Sequence, residues 1–584
     1  MPIELNSNDR TNAISMINRR LGTRDLRAVL YDIQGSRSRR QRKGVEWIVA
    51  ETESTERRLR SRLSDEQLGE FLIDLAGVDL LASRELRFRL TRNCSDDELD
   101  RLHDYPSSIR GRSGRESIAR AIANRNWHAG RGWPIYFTRT LGLSPAFAGI
   151  PGAPSPPHHE EVEPFLPLPP LENFQIDLKE QILEVLENEA GMNRGILTLP
   201  TGAGKTRTAV EALLEWKRAA LAPSGILWIA QSDELCEQAI QAFREVWIDL
   251  GHRDSSIRNT LTLSRFWGSI NKIPDGEGII VASIQKLHSI YRRHEQTGPS
   301  TDLAEMVSNL RVVLVDEAHR MLAPSYTEVL RFLGLEVTRA GSSPIPLLGL
   351  TATPFRANEQ ETRQLAKRFH GQLLGPRLDG DPIETLRLRG VLSKPKHQIL
   401  QYDGREFSID ENSEYREYFE RFQDFHPNLL RELAQERERN RSILEKLCSL
   451  PRDIPVLFFG CSVQHAQAIA VLLRRKMRSA ATVTSDTRAS TRRFLIEEFR
   501  SGRISVLCNY GVLTTGFDAP KVQVIVVARP TASPVLYEQM IGRGLRGPRF
   551  GGTPDCLIID VVDNIRFRGQ MAFMRYEDYW TKRD

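Results

Sequence analysis

The chain has 584 residues, 40% of them apolar and 27% charged, and a formal net charge of +6. That length accommodates three domains, and the composition is that of a soluble globular protein, with no run near the roughly 18 apolar residues that a membrane helix needs. The positive excess lies in residues 1–150, which hold 26 Lys+Arg against 20 Asp+Glu with Lys43 the single lysine, while the remainder balances. Arginine-rich surface suits phosphate, and equally suits a solvated, salt-bridged helical face.

Residues 1–143 read as mostly helical. Ser64 with Gln67, and Ser95 with Glu98, have the capping-box spacing in which each residue satisfies the other's free N–H. The run 68–81 is apolar enough for a buried helix. The basic run SRSRRQRK (36–43) suits a phosphate backbone or a solvated loop. NWHAGRGWPIYFTRTLG (126–142) interleaves Trp127, Trp133, Tyr136 and Phe137 with Arg131 and Arg139. Such rings stack bases or seal a small helical core, and burial is the commoner fate of aromatics. No nuclease constellation is found in residues 1–170.

Residues 144–170 hold nine prolines, which neither continue a helix nor donate to a sheet, so they read as a partly extended linker. From 171 onward apolar runs alternate with amphipathic helical stretches. The runs at 195–199, 225–230, 278–282, 311–315 and 346–350 read as buried parallel strands, and a second series follows at 455–459, 504–508, 522–528 and 556–561. Between the series, residues 406–450 read as helices. The expected division is a helical accessory domain at 1–143, a linker at 144–170, one parallel-sheet α/β lobe at 171–380, a second at 381–566 and a tail at 567–584. The six cysteines (94, 236, 448, 461, 508 and 556) are scattered without a CxxC pair, which argues against structural zinc and for a reducing compartment. With no apolar signal region in MPIELNSNDR, a cytoplasmic protein is expected.

Two strings carry phosphate chemistry on their own. GILTLPTGAGKT (195–206) is a strand, a small-residue loop through Thr201, Gly202, Ala203 and Gly204, then Lys205 and Thr206 opening a helix. The glycines let N–H groups face a phosphate, Lys205 would reach the β- and γ-phosphates of ATP, and Thr206 would ligate Mg²⁺. Leu199 stands where the usual pattern has its first glycine. VLVDEAHR (313–320) ends an apolar strand on Asp316 and Glu317, at the carboxyl end where ligands of parallel sheets sit. Asp316 can hold the Mg²⁺ shell, and Glu317 can orient and deprotonate water.

These strings resemble motifs I and II of superfamily-two DEAH-box helicases and translocases. Further strings then align with that family. Phe174 and Gln175 are similar to its adenine-reading pair. ILWIAQSDELCEQA (226–239), VASIQKL (281–287) and PVLFFGCSVQHA (455–466) resemble motifs Ia, Ic and IV, which touch the nucleic-acid backbone. LTATPFR (350–356) resembles motif III, implying that Thr351 and Thr353, with His319 of the DEAH string, couple nucleotide state to lobe movement. TTGFDAP (514–520) resembles motif V, with Gly516 allowing close approach and Asp518 on the ribose. QMIGRGLR (539–546) resembles motif VI, implying that Gln539 positions water and that Arg543 and Arg546 reach the γ-phosphate. The run from Val512 to Arg546 and the later DCLIIDVVDN are similar to the RadD-like group, near restriction-enzyme helicase subunits and XPB-type translocases. The resemblance covers about residues 171–565.

The resemblance implies two RecA-like lobes and a nucleic-acid-dependent ATPase using ATP and Mg²⁺. It implies a DNA helicase or translocase in DNA repair or anti-phage defence, with DNA the favoured partner over RNA. Two alternatives stand beside it. One is the motor subunit of a restriction-like complex, with residues 1–143 docking a separate nuclease. The other is an ATP-gated, non-translocating nucleic-acid sensor or an RNA helicase.

Overall fold

The computed structural model describes residues 7–33, 44–53, 65–105, 114–149, 159–162, 168–188, 193–219, 225–254, 260–298, 301–335, 345–354, 359–378, 381–405, 407–409, 412–422, 424–513, 521–563, 565–567 and 570–571. Motif V with Gly516 and Asp518, the basic run 36–43, Ser64 and the end of motif III lie outside them.

A parallel strand covered on both faces takes Val, Ile and Leu throughout, and the continuous apolar runs obey this. The first sheet is built from β1 (His159–Val162), β2 (Arg194–Thr198), β3 (Gly225–Ala230), β4 (Leu261–Phe266), β5 (Ile279–Ser283), β6 (Leu310–Asp316), β7 (Leu347–Thr351) and β8 (Leu373–Leu374). Its order is β1-β4-β5-β3-β6-β7-β2-β8, parallel except for β1. β1 lies inside the proline-rich segment. Residues 159–162 contain no proline, so their N–H groups can donate, and they pair antiparallel with 261–264. Helices cover both faces, and two apolar cores result, one around Trp228 and Phe243 and one around Phe369 and Val313.

The second half contributes β9 (Lys394–Leu400), β10 (Phe407–Ser408), β11 (Val456–Phe459), β12 (Ala480–Thr484), β13 (Val506–Tyr510), β14 (Val524–Val527), β15 (Asp555–Val561), β16 (Ile565–Phe567) and β17 (Gln570–Met571). Six of them form an all-parallel sheet ordered β12-β13-β11-β14-β15-β9, and β10, β16 and β17 form a small separate sheet. The protein is thus two parallel-sheet α/β lobes behind a helical N-terminal region. Helix Pro382–Leu388 buries Leu386 in a core of the first lobe, and 390–393 then crosses to β9.

The N-terminal region folds as eight α-helices and one 3-10 turn between Ser7 and Thr140 among the described residues. Ser95 and Glu98 form the expected capping box. The aromatic–arginine stretch is a core element: Phe137 is buried, Trp127 and Trp133 meet it edge-on at 5.6 and 5.7 Å, and Arg87 and Arg125 cover the two indoles. This region shares one apolar cluster with the second lobe, where Val45, Ile48, Val49 and Phe71 join Ile469, Leu473 and Leu447. Among the described residues no helix is long and apolar enough to cross a membrane, and all six cysteines are free.

Candidate nucleotide site between the lobes

Sheet register assembles the first half of the site. β7 lies between β2 and β6, pairing Thr198 with Thr351 and Leu350 with Asp316. The phosphate loop, Thr351 and Asp316 therefore leave three adjacent strands at one carboxyl edge. In the loop, Gly202 (φ 90°) and Gly204 (φ 83°) hold a backbone that side-chain-bearing residues rarely adopt. Helix Lys205–Ala219 starts there, with Thr206 in its first turn. Lys205 is half-buried, and its Nζ donates to the carbonyl of Leu199 at 3.2 Å. Burial lowers its pKa, against the pull of Glu317 and Asp316, and Arg543 lowers it further. Leu199 itself is fully buried, so the residue that replaces the first glycine supplies an apolar anchor and the carbonyl that holds Lys205.

Asp316 ends β6 and is buried, which pushes its carboxyl up to about 7, with the adjacent Glu317 adding to the shift and Lys205 opposing it. Glu317 turns the chain sharply at φ 51° and donates its N–H to Asp316 Oδ1 at 2.9 Å. His319 Nδ1 lies 3.3 Å from Glu317 Oε2 and 3.1 Å from Thr351 Oγ1. The Nδ1–H tautomer serves both acceptors, because Thr351 spends its own proton on the Thr353 carbonyl while accepting from the Thr353 N–H, each at 3.0 Å. Glu317, His319, Thr351 and Thr353 are thus one connected chain.

Gln175 is buried at the start of helix Asn173–Leu186. Its Oε1 accepts from the Glu172 N–H at 3.0 Å and its Nε2 reaches the Ala203 carbonyl at 3.4 Å, tying the helix to the phosphate loop. Phe174 points into the apolar core at 2% exposure.

The second lobe supplies helix Pro534–Ile541 and the turn after it, with Gln539 buried and Arg543 and Arg546 half-buried. Motif VI sits directly on the phosphate loop. A Cβ added to Gly542 would lie 2.7 Å from Thr201 Cβ, and one on Gly202 would lie 3.4 Å from Arg546 Cα. The cleft is closed. Two contacts that the sequence reading did not find reinforce the closure. Arg549 pairs with Glu172 at 3.1 Å, and Phe550 approaches Gly204.

These residues fit a magnesium nucleotide. The loop offers backbone N–H groups and an ammonium, Thr206 and Asp316 offer oxygen ligands, and two buried polar atoms, Thr353 Oγ1 and Gln539 Nε2, have no hydrogen-bond partner among the described residues.

Three serine-capped helix starts follow strands at the same edges. Ser232 caps Asp233–Arg253, Ser283 caps Ile284–Thr297 and Ser462 caps Val463–Arg475, in motifs Ia, Ic and IV. Arg492 of the second lobe pairs with Glu234 beside the first of these.

A two-lobed parallel-sheet ATP site is the core of a helicase-type motor, and comparison with known proteins agrees. Residues 169–356 match the family described as type III restriction enzyme, res subunit, and residues 439–547 match the helicase conserved C-terminal domain. The chain thus carries both domains of a superfamily-two helicase core, similar to those of restriction-enzyme helicase subunits. It is 28% identical over 289 residues to the putative ATP-dependent helicase IRC3 of Saccharomyces cerevisiae, covering 49% of this chain and 37% of that one. It is 26% identical to the type I restriction enzyme EcoKI endonuclease subunit of Escherichia coli (61% of this chain, 31% of that one). It is 23% identical to the DNA 3'-5' translocase XPB2 of Sulfurisphaera tokodaii (69% and 85%). The chain spans 37% and 39% of the two yeast helicases it matches. Among solved structures, Saccharomyces cerevisiae Dbp5 bound to RNA and ADP BeF3 aligns at TM-score 0.44 and 16% identity, covering 69% of this chain and 86% of that one.

Proposed function

We propose that the chain is a nucleic-acid-dependent ATPase acting as a DNA helicase or translocase, in DNA repair or anti-phage defence. The observation that carries the reading is the apposition of Gly542–Arg546 to the phosphate loop, a contact between the lobes that supports a role for the two arginines in a closed cleft. In this reading Lys205 and the loop amides bind phosphate, and Gln175 ties the base end of the site to the loop. Thr206 and Asp316 would hold Mg²⁺, which neutralises charge on the phosphates. Glu317 takes the proton of the attacking water, Gln539 Nε2 orients that water, and Arg543 and Arg546 stabilise charge that develops on the γ-phosphate. His319, Thr351 and Thr353 carry the position of Glu317 to the strand edge. Gly516 and Asp518 of motif V complete the ribose side.

Opening and closing alternate the spacing between capped helix starts on the two lobes, and stepping along a strand follows if ATP and ADP states favour different spacings. DNA is favoured over RNA because the related proteins include a restriction endonuclease subunit and a DNA translocase. The division into an accessory domain at 1–143, a linker at 144–170 whose residues 159–162 join the first sheet, lobes at 171–380 and 381–566 with helix Pro382–Leu388 packed on the first, and a tail at 567–584, together with a cytoplasmic site of action, belongs to the same proposal. The relation to a restriction endonuclease subunit also supports a second reading, a motor feeding a separate nuclease docked on residues 1–143, which co-purification of a nuclease would reveal.

The test is ATP hydrolysis by the purified chain alone and with single-stranded DNA, duplex DNA or RNA. Stimulation by DNA of about ten-fold or more is the expected outcome. Stimulation by RNA alone would make it an RNA helicase, and no stimulation by any of the three would overturn the reading.

A further inference from the structure

The segment that joins the lobes is hydrogen-bonded along the segment that carries the motif VI arginine. Ser393 N–H donates to the Leu545 carbonyl at 3.0 Å, Gly547 N–H to Val391 at 2.9 Å and Arg549 N–H to Gly390 at 3.0 Å, with Leu392 and Arg546 bridged antiparallel. Arg546 is the middle rung of this short ladder. Its carbonyl also accepts from the Thr553 N–H at 3.0 Å and lies within hydrogen-bonding distance of the Ser393 hydroxyl, which shares its one proton between Arg546 and Thr553. Ser393 is fully buried. The approach is too close for a side chain, since a Cβ on Gly547 would fall 2.3 Å from the Gly390 carbonyl oxygen. On its other side Arg546 meets the phosphate loop at Gly202. The arginine's backbone is therefore held between the hinge and the nucleotide cradle.

We propose that Ser393 is a positioning residue for hydrolysis: it clamps the Arg546 carbonyl to the inter-lobe crossing, so that hinge rotation is delivered to the arginine. The proposal rests on the ATPase reading for its catalytic consequence and on geometry alone for the clamp. A buried hydroxyl that acts only through Arg546 has a distinctive signature, because its removal should matter only while Arg546 is present.

The experiment compares wild type, Ser393→Ala, Arg546→Ala and the double variant. Expected are a fall in kcat of about ten-fold in Ser393→Ala with KM for ATP held and a melting temperature lowered by only a few degrees, and no further fall in kcat when Ser393→Ala is added to Arg546→Ala. An equal fall in both backgrounds, or none, overturns the positioning role. Amide hydrogen exchange of residues 545–553 tests the clamp without turnover. Exchange there should rise about ten-fold in Ser393→Ala while the strands of both sheets keep their protection, and unchanged exchange overturns the clamp. A wild-type protein without ATPase would sink the functional reading and leave the exchange result to decide the clamp.

Discussion

Glu317 shows how one residue sets the chemistry of the site. A non-glycine residue at φ 51° is uncommon and carries a cost of about 1 kcal/mol, so it persists only where its surroundings hold it. Here the Glu317 N–H is spent on Asp316 and its carbonyl accepts from Arg320 at 2.9 Å, which turns consecutive carboxylates to different tasks instead of letting them alternate across the strand. Asp316 stays buried at the strand end while Glu317 joins His319 and Thr351. A general base in that place contributes about 10²–10⁴ in rate. Glu317→Gln should therefore lower kcat by that order while nucleotide affinity, read by titration with a fluorescent analogue, stays within a few-fold. Lys205→Ala should lose the affinity itself, and Arg546→Ala should keep affinity and lose about 10³ in turnover or more. Full hydrolysis by Glu317→Gln would remove Glu317 as the base, and surviving turnover in Arg546→Ala would do the same for the arginine.

At the scale of elements, the second lobe is fastened by a buried ion pair. Arg439, in helix Arg437–Ser449, meets Asp563 just beyond β15 with contacts of 2.5 and 3.0 Å, both side chains almost fully buried, and also donates to the Ala528 carbonyl at the end of β14. One helix is thereby tied to two neighbouring strand ends. Asp563→Ala would leave the guanidinium buried without its counter-ion, at a cost of about 3–5 kcal/mol. Thermal melting should shift down on the order of 10 °C, and a change under about 2 °C would mean that Arg439 finds water or another acceptor. Such ties are invisible in a linear reading, as is the Ser393 contact with a carbonyl 153 residues away. What the sequence does display is local. Strands such as GILWIA (225–230) are apolar at nearly every position because both faces are covered, and the phosphate loop and the Asp316–Glu317 pair are each a single contiguous string. β9, KPKHQIL, lies at a sheet edge, where lysines and a histidine can stay in water, so it lacks that pattern. β12, AATVT, packs through small residues, and β1 is hidden among prolines. Phe174 packs in the first lobe's core, and its string alone does not show that depth.

For the whole molecule, the N-terminal helices and the two lobes are joined in an order that the chain does not suggest. Helices Val45–Glu53 and Asp65–Ala76 share an apolar cluster with helix Val463–Arg475 of the second lobe. Polar contacts edge that interface. Arg475 pairs with Glu53 at 2.7 Å and Asp74 at 3.3 Å, Arg441 donates to the Thr52 carbonyl at 3.2 Å, and Thr491 donates to Asp79 at 2.9 Å. In sequence, however, the first strand after the N-terminal helices is β1, and β1 belongs to the edge of the first lobe's sheet. The proline-rich segment therefore passes from a domain mounted on one lobe to a strand mounted on the other. Apolar contact of this kind costs too much to break at every ATP cycle, so the N-terminal helices should travel with the second lobe. Three exposed carboxylates report on this: Asp97 on the N-terminal helices, Glu497 on the second lobe and Glu295 on the first, with side chains 73%, 67% and 45% exposed. In a Cys448→Ser background, which removes the one exposed native thiol, dye pairs at Asp97→Cys with Glu497→Cys should show the same energy transfer with and without a non-hydrolysable ATP analogue. Pairs at Asp97→Cys with Glu295→Cys should change when the analogue closes the cleft. The reverse pattern would place the N-terminal helices on the first lobe during the cycle, and would make the contacts of Arg475 with Glu53 and Asp74 ones that break at each turnover.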